Sequence, residues 1–263
     1  MQELRRACEN IWESYKIYTQ GAAVIRSGFE LTGVSSCNSA VSRELGETFR
    51  YRGESILEHQ AKVAWLASAF LWVDNKGENI FGQDERDFRA YAGMLPKLII
   101  ALCHDVGEYR TGDIPDDGRA EHANKDEQEL AVFTEMAVAY GLFGHHLRVE
   151  FWHFQNKDNC GGQALYALDK LEAVLTLINL ERCGIVGSIK LKPTPTDSDY
   201  YYMRMTGSDN PVDCWAAHMR AQIGGFHETV VRPVLTLLDV AINDVRGKSF
   251  DWWNKKIPPY QPN

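Results

Sequence analysis

Apolar residues recur along the chain at helical rather than strand spacing. In ESILEHQAKVAWLASAFLW they fall at 56, 57, 63, 66, 67, 70 and 71, the stripe of an amphipathic helix. Residues 3–18 alternate in the same way, and QDERDFRAYAGM predicts a short helix. Pro96 suits the first turn of a helix, where its missing N–H is not needed. That helix is expected over 96–110, stopping at Gly112. Further helices are expected over 122–140, over 146–154 and in GGQALYALDKLEAVLTLINLERCG. Residues 27–53 are rich in Gly and Ser and read as irregular. Residues 188–211 carry Pro193, Pro195 and Pro211 and read as a long connection. CWAAHMRAQIGGFHETVVRPVLTLLDVAINDVRG gives one or two more helices with a break near Gly224 and Gly225. There is no internal repeat and no convincing period-2 run, so the expected fold is all-α.

A few polar residues break the apolar stripes. His59 precedes Val63, Leu66 and Phe70 on one helical face. His104 and Asp105 end the apolar run LIIALC. Asp169 lies between Leu165 and Ala173. Four ionisable side chains on three helices therefore point inward. A buried carboxylate is costly unless it is paired or holds a metal. Two imidazoles and two carboxylates would make a shell for a divalent transition ion. Hydrogen-bonded core histidines and solvated helix-end aspartates fit the spacing as well, so both readings stand at this point. Glu108, four residues after His104 and three after Asp105, shares their face, placed to take a proton from a bound water. Asp113, in TGDIP, could close over the same pocket from a loop.

Composition narrows the picture. A chain of 263 residues buries a sizeable core as one large domain or two small ones. The formal net charge of −8 argues against a nucleic-acid polymer as the main partner, but not against a small anion held by local cations. The six cysteines form no CxxC pair, which suits reduced thiols in a cytoplasmic protein. The N-terminal residues lack the apolar core of a signal peptide, and no apolar run is long enough for a membrane span.

The pieces ESILEHQAKVA, ALCHDVGEYRTGDIP and ALDKLEAVL resemble the HD-domain metal-dependent phosphohydrolases over roughly residues 45–185. The pattern H-D-x-x-E-x-x-x-G-D-[IL]-P in the second piece is similar to the branch of bacterial 5′-deoxynucleotidases. The resemblance implies an HD-type helical bundle as a single domain over 1–263, with 186–263 as a C-terminal helical extension. It implies one divalent metal (Mn, Co, Fe, Ni or Zn) held by His59, His104, Asp105 and Asp169. Glu108 would activate water, and Asp113 would touch the nucleotide or the leaving group. Arg43 lies where the family places a phosphate-binding arginine, with Arg50 and Arg52 close by; Lys170, beside Asp169, is a further candidate. The implied activity removes phosphate from (deoxy)nucleoside 5′-monophosphates by attack of metal-bound water. The implied partner is a small phosphorylated substrate, and a homodimer is a further expectation from the family.

Other readings remain at this level. The substrate could be another phosphate ester or a nucleotide pyrophosphate. His122, His145, His146 and His153 could hold a second metal in a di-iron oxygenase. A helical protein could also keep a metal without catalysis. Cys103 neighbours His104 but lies about 100° round the helix, as a core thiol would. Trp65 and Trp72 read as core or interface packing.

Overall fold

A computed structural model describes residues 55–70, 88–111, 124–182, 188–191, 195–247 and 258–261. Among them there are helices and no β-strand, as the spacing predicts. Helix α1 (Ile56–Phe70) opens on a reciprocal cap. The Glu58 amide donates to Ser55 Oγ at 3.2 Å, and Glu58 Oε2 accepts from the Ser55 amide at 2.9 Å. Two otherwise orphaned donors are satisfied at once. Its buried face carries Ile56, His59, Gln60, Val63, Leu66, Ala67 and Phe70. Trp65 points the other way and is exposed rather than core.

Helix α2 (Phe88–Cys103) corrects two expectations. It begins well before Pro96, which lies inside it, so the short helix and the apolar helix are one. It also ends at Cys103, not near 110, and residues 104–107 form turns before the short α3 (Glu108–Thr111). The amides of Val106 and Glu108 donate three residues back, to Cys103 O and Asp105 O. Gln60 of α1 explains the stop. With its amide oxygen toward the turn it accepts from Asp105 N (2.9 Å) and Val106 N (3.1 Å), and it donates to Leu102 O (3.1 Å). A side chain thus takes a carbonyl that the helix end leaves without an intrahelical partner and meets two amides of the turn that follows.

Helix α4 (Lys125–Ala137) runs through a 3₁₀ turn, Val138–Tyr140, into α5 (Leu142–Asn156), which is longer than the 146–154 expected. Phe133 and Phe151 stack across the pair with ring centroids 4.2 Å apart. Helix α1 packs on α2, α2 on α5, and α3 on α4. Helix α6 (Cys160–Arg182) follows a left-handed Lys157 and a cap in which Asn159 Oδ1 accepts from the Gly162 amide at 2.7 Å.

The described residues divide into two compact units, one ending at Asp169 within α6 and one starting at Lys170. In the second, the stretch read as a connection contains α7 (Asp197–Thr206). Thr196 and Asp199 cap it reciprocally. Helices α8 (Pro211–Ile223) and α9 (Glu228–Arg246) are separated at 224–227, as the paired glycines predict. Arg246 is bidentate to Glu181 and donates to Asp213 Oδ1 at 2.7 Å, tying the ends of α6 and α9 to the start of α8. The expected helix at 3–18, the irregular segment 27–53, Trp72 and His122 lie outside the described residues. No described helix is long and apolar enough to cross a membrane.

Candidate metal centre

Three elements of the first unit deliver four side chains to one point. His59 comes from the buried face of α1, His104 and Asp105 from the turn after α2, and Asp169 from the middle of α6. His59 Nε2 lies 2.9 Å from Asp169 Oδ1 and 3.5 Å from Asp105 Oδ2. His104 Nε2 lies 3.3 Å from Asp105 Oδ2 and 3.6 Å from Asp169 Oδ1. One ligand atom from each residue fits within 4.8 Å of all the others. His59 is wholly buried and His104 and Asp169 nearly so, while the Asp105 side chain keeps 21% of its surface in solvent. The cluster is thus enclosed but reachable along the Asp105 side.

The imidazole of His104 is oriented from behind. Its Nδ1 lies 3.1 Å from Ala101 O. A carbonyl only accepts, so Nδ1 carries the proton and Nε2 is left to face the two carboxylates. That Nε2 is buried, with no well-aligned hydrogen-bond partner among the described residues. A buried ring nitrogen met only by these longer, poorly aligned carboxylate contacts calls for an explanation. A cation bound among the four groups supplies one, because it takes the nitrogen's lone pair and offsets both carboxylates. Two imidazole nitrogens and two carboxylate oxygens suit a divalent transition ion, so this donor set fits a metal.

Electrostatics without a cation agree. Burial pulls the His104 ring down, but the charge of Asp105 with Asp169 behind it wins, and the ring is pushed up to about 10. Asp105 is raised by burial and lowered more by the charge of His104, so its carboxyl sits well below the usual carboxylate range. In the metal-free protein, protons do part of the work that a cation would do.

Glu108 sits beside the cluster, but not as spacing suggests. It opens α3 rather than continuing α2, and its amide donates to Asp105 O at 2.9 Å. The side chain is buried and accepts from Lys125 Nζ at 3.1 Å. Lys125 also pairs with Glu129 Oε1 at 3.2 Å. Sequence reasoning missed Lys125, Glu129, Gln60 and Gly107. An added Cβ on Gly107 would meet Glu129 Cα at 2.5 Å, so the backbone of α4 lies directly on the turn.

The other predicted residues separate. Lys170 follows Asp169 on α6, about 100° round the helix, and is half-buried. Arg43, Arg52 and Asp113 lie outside the described residues. His145 and His146 are exposed, and His153 pairs with Asp158 at 2.7 Å. Among the described residues the only metal-type grouping is the four-residue cluster. Cys103 is a core thiol whose Sγ donates to Ile99 O, and burial pushes it up. His227 caps α9, and His218 stacks on Tyr202.

Residues 41–185, more than half of the chain, match the family described as HD domain. The matched span contains all four cluster residues and Glu108. No curated protein and no solved structure matches the chain.

Proposed function

The chain belongs to the HD domain family, and from that premise we propose that it is a metal-dependent phosphomonoesterase acting on nucleoside 5′-monophosphates, deoxy forms foremost. HD domains bind divalent metals and are in general hydrolases. The observation that carries the reading is the convergence of His59, His104, Asp105 and Asp169 within 4.8 Å, with the buried carboxylate of Glu108 one turn beyond Asp105. A purely structural metal has no use for that further carboxylate. The narrower substrate class rests on the likeness of residues 104–115 to the 5′-deoxynucleotidase pattern.

His59, His104, Asp105 and Asp169 would hold a divalent cation, which would supply charge to a phosphate oxygen and acidity to a water. Glu108 takes the proton of the attacking water as the new oxygen–phosphorus bond forms. The bond from phosphorus to the nucleoside 5′-oxygen would break, and that oxygen would leave with a proton, for which Asp113, proposed to touch the leaving group, is the candidate donor. Arg43, Arg52 and Lys170 are the cations proposed to meet the phosphate.

The test is phosphate release from ribo- and deoxynucleoside 5′-mono-, di- and triphosphates, using chelated protein refilled with one metal at a time. Release from monophosphates alone, lost in Glu108→Gln, is the expected result. Turnover unchanged in Glu108→Gln would rule out the proton transfer as drawn. Release confined to di- or triphosphates would move the activity to pyrophosphate hydrolysis.

A further inference from the structure

We propose that Lys125 is a positioning residue that sets the carboxylate of Glu108 for its work on water; this rests on the proposed role of Glu108. Lys125 is the first residue of α4 and is 6% exposed, unusual for a lysine. Its ammonium lies 3.1 Å from Glu108 Oε1 and 3.2 Å from Glu129 Oε1. A buried ammonium is costly to desolvate and is kept only where partners meet it. Here the two partners differ in kind. Glu129 lies one turn along the same helix and serves to hold the lysine. Glu108 lies on the separate turn that carries His104 and Asp105. The lysine therefore joins α4 to the element bearing the proposed proton acceptor.

The backbone is shaped for this link. Gly107 immediately precedes Glu108, and a Cβ there would strike Glu129 Cα at 2.5 Å, Cγ at 2.6 Å and Cβ at 2.8 Å. Only a residue without a side chain lets α4 come this close. The group also lies within electrical reach of the cluster, since the charge of Asp105 helps to raise Glu129, after burial and against Lys125. An ammonium fixed on one oxygen of a carboxylate limits its rotation, so that the Glu108 side chain meets the substrate complex in one orientation.

The test uses the full chain loaded with Mn²⁺ and an equimolar mixture of the four deoxynucleoside 5′-monophosphates. Wild type, Glu108→Gln, Lys125→Met and Glu108→Gln/Lys125→Met are compared. Lys125→Met is expected to lower kcat roughly tenfold to a hundredfold, at or below the lower end of proton-transfer effects because the carboxylate itself remains, while KM and Mn²⁺ affinity measured by calorimetry change less than about twofold. The double variant is expected to be no slower than Glu108→Gln alone, because a residue acting through Glu108 has nothing left to act on. Losses that multiply in the double variant would show a general structural role and overturn the proposal. A raised KM with kcat kept would make Lys125 a substrate contact and also overturn it. If Lys125→Met does not fold, Glu129→Gln, which loosens the lysine, should lower kcat in wild type and not in Glu108→Gln; equal effects in both backgrounds would overturn the proposal. Turnover absent in wild type, or unchanged in Glu108→Gln, would remove the underlying reading of Glu108 itself.

Discussion

Gly107→Ala tests whether α4 is seated on the metal-bearing turn as closely as described. Two effects oppose each other. Gly107 is not among the residues with positive φ, so alanine can adopt its backbone conformation. Replacing glycine at such a position gains about 0.4–1 kcal/mol by restricting the unfolded chain. Against this stands the clash with Glu129, where the nearest atom is Cα at 2.5 Å. The Glu129 side chain could swing its Cγ away, but the Cα moves only with the helix. Forcing an extra methyl into a packed site typically costs about 1–3 kcal/mol, and a backbone obstacle belongs at the upper end. The clash wins, with a net loss of about 2 kcal/mol, or roughly 4–8 °C in melting temperature for a chain of this size. Thermal and urea unfolding followed by circular dichroism read it directly. The double variant Gly107→Ala/Glu129→Ala separates backbone from side chain. It removes the 2.6 Å contact to Cγ but keeps those to Cα and Cβ, so it should recover little. An alanine as stable as wild type, or full recovery in the double variant, would refute the close approach of α4.

Metal removal should lower stability through the four-residue cluster. A cation at one hundred times its Kd stabilises the fold by about 2.7 kcal/mol, so chelated protein refilled with Mn²⁺ should melt several degrees higher, and Asp169→Asn should lose the increment. A melting curve indifferent to chelator and Mn²⁺ would sink the site. The chelated protein should also lose stability as pH rises. His104, at 6.5 unperturbed, is raised to about 10 in the fold. A raised pKa stabilises fully below 6.5 and fades as pH climbs through 10, so denaturant midpoints of chelated protein should fall across that window. His104→Gln should flatten the fall. Mn²⁺ affinity should rise over the same window, because the ion displaces the proton.

The cluster residues were legible because they interrupt apolar stripes: a histidine or aspartate on a face otherwise made of Leu, Ile and Ala has to be explained. The all-α class and the break at Gly224 and Gly225 were legible from periodicity and glycine placement. The end of α2 was not. LIIALCHDVGEYR keeps helical character through Arg110, and what stops it is Gln60, more than forty residues earlier. Helix α7 was missed although Thr196 and Asp199 carry its capping signal; Pro193 and Pro195 just before it read more strongly as loop. Lys125 and Glu129 were hidden for another reason. Four residues apart on a polar helix, they look like a solvated surface pair. Only the missing side chain at Gly107 brings that surface against another element.

The charges of the described groups limit how a phosphate could be held. A divalent cation held at the cluster would be offset by Asp105 and Asp169. Beyond it, the one ammonium of Lys125 faces both Glu108 and Glu129, so that group has no positive charge to spare while both glutamates are ionised. A phosphate monoester carrying two negative charges would find the cation already matched, beside a carboxylate that must remain able to accept a proton. Binding a phosphate there, as proposed, would draw on cationic side chains beyond Lys125. The proposed function looks for them to the arginines at 43, 50 and 52, ahead of His59 in the sequence, and to Lys170, directly after Asp169. Arginine is better suited than lysine to the task, since its planar fork meets two phosphate oxygens at once and it stays charged beside a metal. In the proposed function the cluster and Glu108 would handle the water, and the arginines would answer for the charge of the substrate.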